Sequence, residues 1–291
     1  MAAPASKIVV IGNCQARPVC QILGARTGAQ MLEPIILHLA REEDESRNCA
    51  AIESADLILA QLTSSDFRPV HLASQHLAEN YAAKTFIWPN IFYCGQQPFL
   101  RYITSHERGR ILGPLESYHD LRLLRRWALA RGVDAIGDFD EASVVDLNHR
   151  VSLDQLRQRE TSCNVGVADL IEKYHDQRRL FFTFNHPVMW LMEQMCEQFS
   201  AAVNLRYDAA TPFKNEPLAR IVGPSIWQEW PGEALPFRGQ VVSYAPNGRV
   251  VVEGVRLYTE SELEAEFFRT YDHIAPGLNW RKMRYTPDYS L

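Results

Sequence analysis

One short apolar run near the start of the chain constrains the fold more than any other feature. Residues 8–11 read Ile-Val-Val-Ile, and Gly12 and Asn13 end the run. A run of β-branched residues without polar alternation is typical of a strand buried on both faces of a parallel sheet. Pro18 then fits the first turn of a helix, where a missing N–H group costs nothing. The pattern predicts an α/β fold that begins with a strand, a tight turn and a helix.

Cys14 lies in this predicted turn, at or just before the helix N-terminus. The positive end of a helix and its orphan N–H groups favour a thiolate, so Cys14 is a candidate nucleophile. The same N–H groups are candidate donors to an oxyanion. An ordinary turn with a small buried cysteine is the alternative, because free cysteine is often buried. A dinucleotide site is disfavoured, since the turn lacks the Gly-x-Gly-x-x-Gly pattern.

The rest of the chain alternates apolar segments with polar breaks, which predicts a parallel-sheet core with flanking helices. Strands are predicted at residues 31–39, 55–62, 84–88 and 179–183, and helices at 118–132, 165–174, 188–199 and 259–271. Residues 138–154 are acidic and polar, and they predict a linker or a small helical lobe. Two segments rich in β-branched residues flank Asn247 and Gly248, and this pattern predicts a hairpin.

The character of the sequence changes after residue 203, where prolines become frequent. We therefore expect an α/β catalytic domain at residues 1–203 and a C-terminal extension at residues 204–291, packed on it as a separate or a continuous unit. The hairpin and the last helix belong to this extension. We expect it to cover part of the main domain or to build a subunit interface.

Composition narrows the class of protein. The 291 residues are 46% hydrophobic, enough for a large core, and the net charge of −5 argues against wholesale nucleic-acid binding. No apolar run reaches membrane-spanning length and the N-terminus lacks a signal peptide, so we expect a cytoplasmic protein. The six cysteines and the histidines lack metal-ligand spacing, so we expect reduced thiols and no metal.

Two further segments carry candidate catalytic groups. Asn90 follows the strand at 84–88, and its amide is a candidate oxyanion donor or an ordinary turn residue. His186 lies between Asn185 and Pro187, just after the strand at 179–183. Because the proline fixes the direction of the backbone, His186 is a candidate base to act with Cys14, although a lone histidine is more often structural.

The helix at 118–132 is the most basic in an acidic protein. Arg122, Arg125 and Arg126 lie on it. A solvated face is the usual explanation for such a cluster. The alternative is contact with the phosphates of a nucleotide-containing cofactor, because guanidinium groups bind phosphate in a bidentate geometry.

Three motifs together resemble a known family. Residues 12–15 read Gly-Asn-Cys-Gln, residues 89–91 read Pro-Asn-Ile with Gly95 and Pro98 after them, and residues 185–187 read Asn-His-Pro. In order and spacing they resemble the WcbI family of capsular polysaccharide biosynthesis proteins. The resemblance implies coenzyme A or acetyl-CoA as acyl donor, a capsular heptose as the carbohydrate acceptor, and a place among other polysaccharide biosynthesis enzymes.

The family is similar in its site to the SGNH esterases. By that similarity Cys14 takes the place of the serine nucleophile, Asn90 that of the oxyanion donor and His186 that of the histidine. The position three before the histidine is Thr183, where those enzymes have aspartate. A hydroxyl can orient an imidazole but does not stabilise an imidazolium as a carboxylate does. The third member is therefore left open among Thr183, Asn185 and the distant Asp66.

These observations favour an O-acetyltransferase. An acyl-cysteine is a thioester close in energy to acetyl-CoA, so a cysteine suits reversible acetyl transfer to a sugar hydroxyl. Cys14 and His186 are the predicted nucleophile and base, and the residues predicted around them are Gly12, Asn13, Gln15, Asn90 and Asn185. The alternatives are a non-catalytic module that binds coenzyme A or a sugar nucleotide, and an SGNH-like carbohydrate esterase.

Overall fold

The first strand lies inside a five-stranded parallel sheet in the computed structural model, which describes residues 6–106, 108–210, 237–245 and 249–284. The sheet strands are β1 (Lys7–Gly12), β2 (Gln30–Met31), β3 (Ile35–Ile36), β4 (Leu57–Gln61) and β5 (Thr85–Trp88). Their order is β2-β1-β4-β5, and β3 pairs with the second half of β1. All pairings are parallel, so the carboxyl ends of the strands share one edge.

Eight α-helices, five short 3₁₀ helices and four antiparallel strand pairs complete the described part of the chain. The helices are α1 (Ala16–Thr27), α2 (Glu45–Ser54), α3 (Ser74–Asn80), α4 (Leu121–Arg131), α5 (Glu141–Glu160), α6 (Ala168–Tyr174), α7 (Met189–Ala202) and α8 (Glu260–Ile274). The pairs are β6 (Leu100–Tyr102) with β9 (Tyr118–Asp120), β7 (Thr104–Ser105) with β8 (Gly109–Arg110), β10 (Phe181–Thr183) with β11 (His186–Pro187), and β12 (Phe237–Tyr244) with β13 (Val250–Tyr258). No helix in these ranges has the length and apolarity to cross a bilayer.

The alternation of side chains along β1 separates two cores. Ile8 and Val10 pack into one core with α1, α6 and α7, and Val9 and Ile11 pack into a second core with α2 and α3. All four side chains are fully buried. The predicted strand buried on both faces, and with it the predicted α/β class, is therefore confirmed.

A third core joins the middle of the chain to its C-terminal part. Phe267 and Tyr271 of α8 are fully buried against α4, and the Trp127 indole nitrogen donates to Asp272 Oδ1 at 2.8 Å. Phe184, from the segment before His186, belongs to the same core. The described part of the predicted extension thus packs on the main domain and shares hydrophobic contacts with it.

Several predicted elements are confirmed and others need correction. Helix α4 ends at Gly132 in the left-handed conformation, and Thr259 caps α8, but α4 begins only at Leu121 because β9 precedes it. For residues 138–154, predicted as a linker or a small helical lobe, the helical alternative holds from residue 141, where the 20-residue helix α5 begins. The predicted strand at 31–39 is two short strands and a 3₁₀ turn. The hairpin strands are confirmed, and their predicted turn lies outside the described residues.

Candidate functional site

The turn after β1 lies at the carboxyl edge of the sheet, beside the ends of β4 and β5. A Cβ atom added to Gly12 would lie 2.7 Å from the Trp88 ring, so the end of β1 requires glycine to pass the end of β5. Asn13, Cys14 and Gln15 then lead into α1. Loops at this edge are where parallel α/β sheets bind ligands, so the predicted site residues near β1 occupy a favourable position.

The side chain of Asn13 organises the turn. Its Oδ1 accepts the N–H of Gln15 at 2.9 Å, and its Nδ2 donates to Asn90 Oδ1 at 3.1 Å. The N–H of Asn13 donates to Gln61 Oε1 at 2.9 Å. The structure therefore brings the predicted Asn90 to the Cys14 turn. The contact turns the Asn90 oxygen toward Asn13, and among the described residues the Asn90 Nδ2 atom has no hydrogen-bond partner.

Gln15 joins the turn to two other segments. Its side chain is fully buried, and Nε2 donates to the carbonyl oxygens of Ile91 at 2.7 Å and Asn185 at 2.9 Å. Oε1 accepts from Gln61 Nε2 at 3.1 Å and from the N–H of Ile91 at 3.3 Å. This side-chain amide therefore makes two donations and two acceptances, all to other protein groups. Because Cys14 precedes Gln15 and His186 follows Asn185, this side chain brings the segments of the predicted nucleophile and base together.

The thiol of Cys14 is less acidic than the sequence predicts. Burial raises its pKa above the ordinary value, and this effect outweighs the backbone N–H groups of Cys14 and Gln15, which lower the pKa. The carboxylate of Glu116 raises the pKa further and Arg17 lowers it. The helix N-terminus acts in the predicted direction, but the prediction of a favoured thiolate is wrong because desolvation dominates.

A polar cluster surrounds Asn185. Its Oδ1 accepts from Tyr118 OH at 2.6 Å and from Thr183 Oγ1 at 3.1 Å, and its Nδ2 donates to Tyr102 OH at 3.2 Å. The His186 ring lies 5.9 Å from the Tyr118 ring, centroid to centroid. The hydroxyl proton of Thr183 is therefore directed at Asn185, which makes Thr183 a support for the Asn185 amide in this arrangement.

Two residues of the site were missed by sequence reasoning. Gln61 is a polar side chain in the otherwise apolar strand β4, and that break in the pattern could have identified it. Glu116 interacts electrostatically with Cys14 and has a φ of 57°, in the left-handed region that few non-glycine residues adopt. No local sequence signal marks Glu116, because its position depends on the fold of residues 113–118.

The predicted phosphate-binding arginines lie elsewhere on the chain. Arg122, Arg125 and Arg126 of α4 form ion pairs with Asp120, Asp138 and Glu264, respectively. Among the described residues, none of the three hydrogen-bonds to the Cys14 turn. Each carboxylate offsets the charge that its arginine offers to a ligand, so the phosphate role stays a prediction without structural support.

Asp66 also lies apart from the polar contacts described above. It is exposed in the loop after β4, where the hydroxyl of Ser64 lowers the pKa of its carboxyl group. A cavity of about 510 Å³ is lined by Arg17 of α1, by Ile36 of β3 and by residues of α2, and none of residues 12–15 is among its described lining residues. Within the described ranges, no group of three or more His, Cys, Asp or Glu side chains is arranged to hold a metal ion.

Comparison with known proteins gives one family and one fold. Residues 7–207 match the family described as polysaccharide biosynthesis enzyme WcbI. A solved structure of WcbI, described as a native protein without a disulfide bond between coenzyme A and its Cys14, matches with a TM-score of 0.63 at 20% identity, over 95% of this chain and 96% of that chain. At that identity the likeness shows the fold. A search of curated proteins found no match.

Proposed function

The chain belongs to the WcbI family of polysaccharide biosynthesis enzymes, and we propose that it transfers an acetyl group from acetyl-CoA to a sugar hydroxyl through Cys14 and His186. The observation that carries the proposal is the buried Gln15 amide, which links the Cys14 turn to the Asn185 carbonyl. The similar WcbI structure is described as a native protein without a disulfide bond between coenzyme A and its Cys14. That description supports coenzyme A as the thiol that approaches this turn.

In the first half-reaction, Cys14 Sγ attacks the carbonyl carbon of the acetyl thioester. Burial raises the pKa of Cys14, so the thiol carries its proton near neutral pH and needs a base at the moment of attack. His186 takes that proton. The bond between the acetyl carbon and the coenzyme sulfur then breaks, and the coenzyme sulfur leaves with the proton from His186.

In the second half-reaction, a sugar hydroxyl attacks the acetyl-Cys14 thioester. His186 takes the hydroxyl proton as the new ester bond forms, and it returns that proton to the departing Cys14 sulfur. Exchange of one thioester for another is nearly neutral in free energy, whereas formation of the oxygen ester is favourable. A cysteine nucleophile therefore keeps the acetyl group reactive until the acceptor arrives.

The hydrogen bonds of the turn narrow the choice of oxyanion donors. The N–H groups of Asn13 and Gln15 already donate to Gln61 and to Asn13 Oδ1, and the Gln15 side chain is fully used. The remaining candidates are the N–H of Cys14 and the Nδ2 of Asn90. We assign the oxyanion to these two donors, and Asn13 and Gln15 to holding them in place.

The test is release of coenzyme A from acetyl-CoA, followed by chromatography in the presence and absence of a heptose. We expect the sugar to stimulate release and an acetylated sugar to appear. Cys14→Ala and His186→Ala should each reduce the rate about 10²–10⁴-fold, whereas Cys20→Ala on α1 should leave it unchanged. Full transfer by Cys14→Ala would instead show direct transfer, and cleavage of an acetyl ester with no coenzyme A present would show an esterase.

A further inference from the structure

A second cavity lies beside the short pair β7 and β8. Its volume is about 410 Å³, and its lining includes the three arginines Arg108, Arg110 and Arg249. The rest of the described lining is apolar and includes Val250 and Ile274, with no carboxylate among the lining residues that the structure describes. The chain as a whole carries a net charge of −5. A cavity whose described lining has three guanidinium groups and no acidic group is therefore a favourable place for an anion.

Two of these arginines keep their charge available. Within the part of the chain that the structure describes, Arg108 and Arg110 form no ion pair, whereas Arg122 is held by Asp120. The guanidinium of Arg108 lies against Gly277, where an added Cβ atom would lie 3.0 Å from Arg108 Nη2. The φ of Gly277 is 99°, a conformation that favours glycine. The backbone at this position thus leaves room for the Arg108 side chain.

The cavity adjoins the polar cluster around Asn185. The guanidinium of Arg110 lies over the Tyr102 ring, 3.9 Å from its centroid. At the edge of this ring, the Tyr102 hydroxyl accepts a hydrogen bond from Asn185 Nδ2 at 3.2 Å. One aromatic ring therefore separates the arginines from the amide that leads to His186. A ligand that spans this ring would reach both the arginines and the proposed reaction site.

We propose that this arginine cavity binds a phosphate group of a substrate that reacts at Cys14. Guanidinium groups bind phosphate oxygens through paired, charge-assisted hydrogen bonds. The inference rests on the proposed function for the identity of the reacting end, and the phosphate has two sources. It belongs either to the nucleotide part of the acyl donor or to a phosphorylated sugar acceptor.

The direct test is calorimetric titration of the full chain with inorganic pyrophosphate. Arg108→Gln with Arg110→Gln should weaken pyrophosphate binding at least about tenfold, because it removes two charged donors. The matched control is Arg68→Gln with Arg206→Gln, which removes the same charge from exposed positions. Equal pyrophosphate affinity in both double variants would overturn the proposal.

Two further titrations distinguish the sources of the phosphate. If the donor phosphates bind here, the cavity variant loses at least about tenfold in coenzyme A affinity and keeps its affinity for mannose 1-phosphate. If the acceptor phosphate binds here, the cavity variant loses affinity for mannose 1-phosphate and keeps its affinity for coenzyme A. Unchanged affinity for both ligands would overturn the proposal. These titrations measure binding separately from turnover. If the cavity variant binds ligand more weakly but the wild-type chain transfers no acetyl group, the proposed function is contradicted and the phosphate site is still supported.

Discussion

At the residue scale, the reactivity of Cys14 depends on its neighbours as much as on the helix N-terminus. Burial and the Glu116 carboxylate both raise the pKa of the thiol, and the backbone N–H groups only partly offset them. A thiol in this environment is protected from random oxidation or alkylation near neutral pH, because little thiolate is present. It gains nucleophilicity when a base removes its proton during the reaction.

Removal of the Glu116 charge should make Cys14 more reactive. In Glu116→Gln the negative neighbour is lost, so the pKa of Cys14 falls and more thiolate is present at a given pH. We expect iodoacetamide to modify Cys14 about threefold faster at pH 8, with the whole pH profile shifted to lower pH. Peptide mapping by mass spectrometry measures the rate at this cysteine. Glu79→Gln, an exposed change on α3, is the control, and equal rates in both variants would contradict the assignment.

Gln15 should be intolerant even of an isosteric change. Gln15→Glu keeps the shape but removes both donations from Nε2, to Ile91 and Asn185, and buries a charge. We expect a loss of about 2–4 kcal/mol in the free energy of unfolding, measured by urea denaturation. Gln21→Glu on the exposed side of α1 is the control. Equal unfolding midpoints for the two variants would show that the buried amide does not hold the segments together.

Some residues of the site can be identified from the sequence alone and others cannot. Cys14 and Asn90 follow strands whose ends share one edge of a parallel sheet, so local patterns were enough to bring them together. Glu116 has no such signal, since it is positioned by the long-range fold of its segment. Burial of the thiol was left open as the alternative to a reactive cysteine, because desolvation depends on every element that packs around the turn.

At the scale of elements, the sequence predicted those strands and helices whose hydrophobic or capping pattern agrees with how the folded chain buries them. The strand β1 is apolar throughout because it is covered on both faces, and α8 begins at a capping box formed by Thr259 and Glu262. Residues 138–154 were left open between a linker and a small helical lobe, because much of the surface of α5 is polar and a polar helix resembles a linker in sequence. In α4, Leu129 lies at helical spacing from Leu121 but is 71% exposed, since Trp127 and Ala128 form the buried face there.

Helix α4 allows a test of the predicted phosphate contacts. Its three arginines are paired with carboxylates, so we expect their joint replacement by glutamine to change coenzyme A affinity by less than about threefold. Calorimetric titration measures the change, and the Arg108 and Arg110 double variant gives the comparison. A loss of tenfold or more in the α4 variant would restore the prediction made from the sequence.

At the scale of the whole molecule, three cores meet near the proposed site. Phe184 lies in the third core and directly precedes Asn185, and its ring contacts Phe92 at 4.9 Å between centroids. The family match ends at residue 207, yet α8 contributes fully buried side chains to that same core. Prolines after residue 203 suggested a boundary, but composition cannot show whether a segment packs as a separate unit.

Destabilisation of α8 should therefore accelerate hydrogen exchange in β1. Phe267→Ala removes a fully buried ring, and we expect a loss of about 3–5 kcal/mol in the free energy of unfolding. If the chain unfolds as one unit, hydrogen exchange of the β1 amides should accelerate in step. The neighbouring Phe268→Ala removes a partly exposed ring and should have a much smaller effect. Unchanged β1 exchange in Phe267→Ala would show an independent C-terminal domain.

The most direct test of the central claim is the intact mass of the protein after mixing with acetyl-CoA. We predict that the wild-type chain gains one acetyl group, that hydroxylamine removes it, and that Cys20→Ala behaves in the same way. Cys14→Ala should gain none, and His186→Ala should gain it more slowly. An equal adduct on Cys14→Ala, or none on the wild type, would contradict covalent transfer through Cys14.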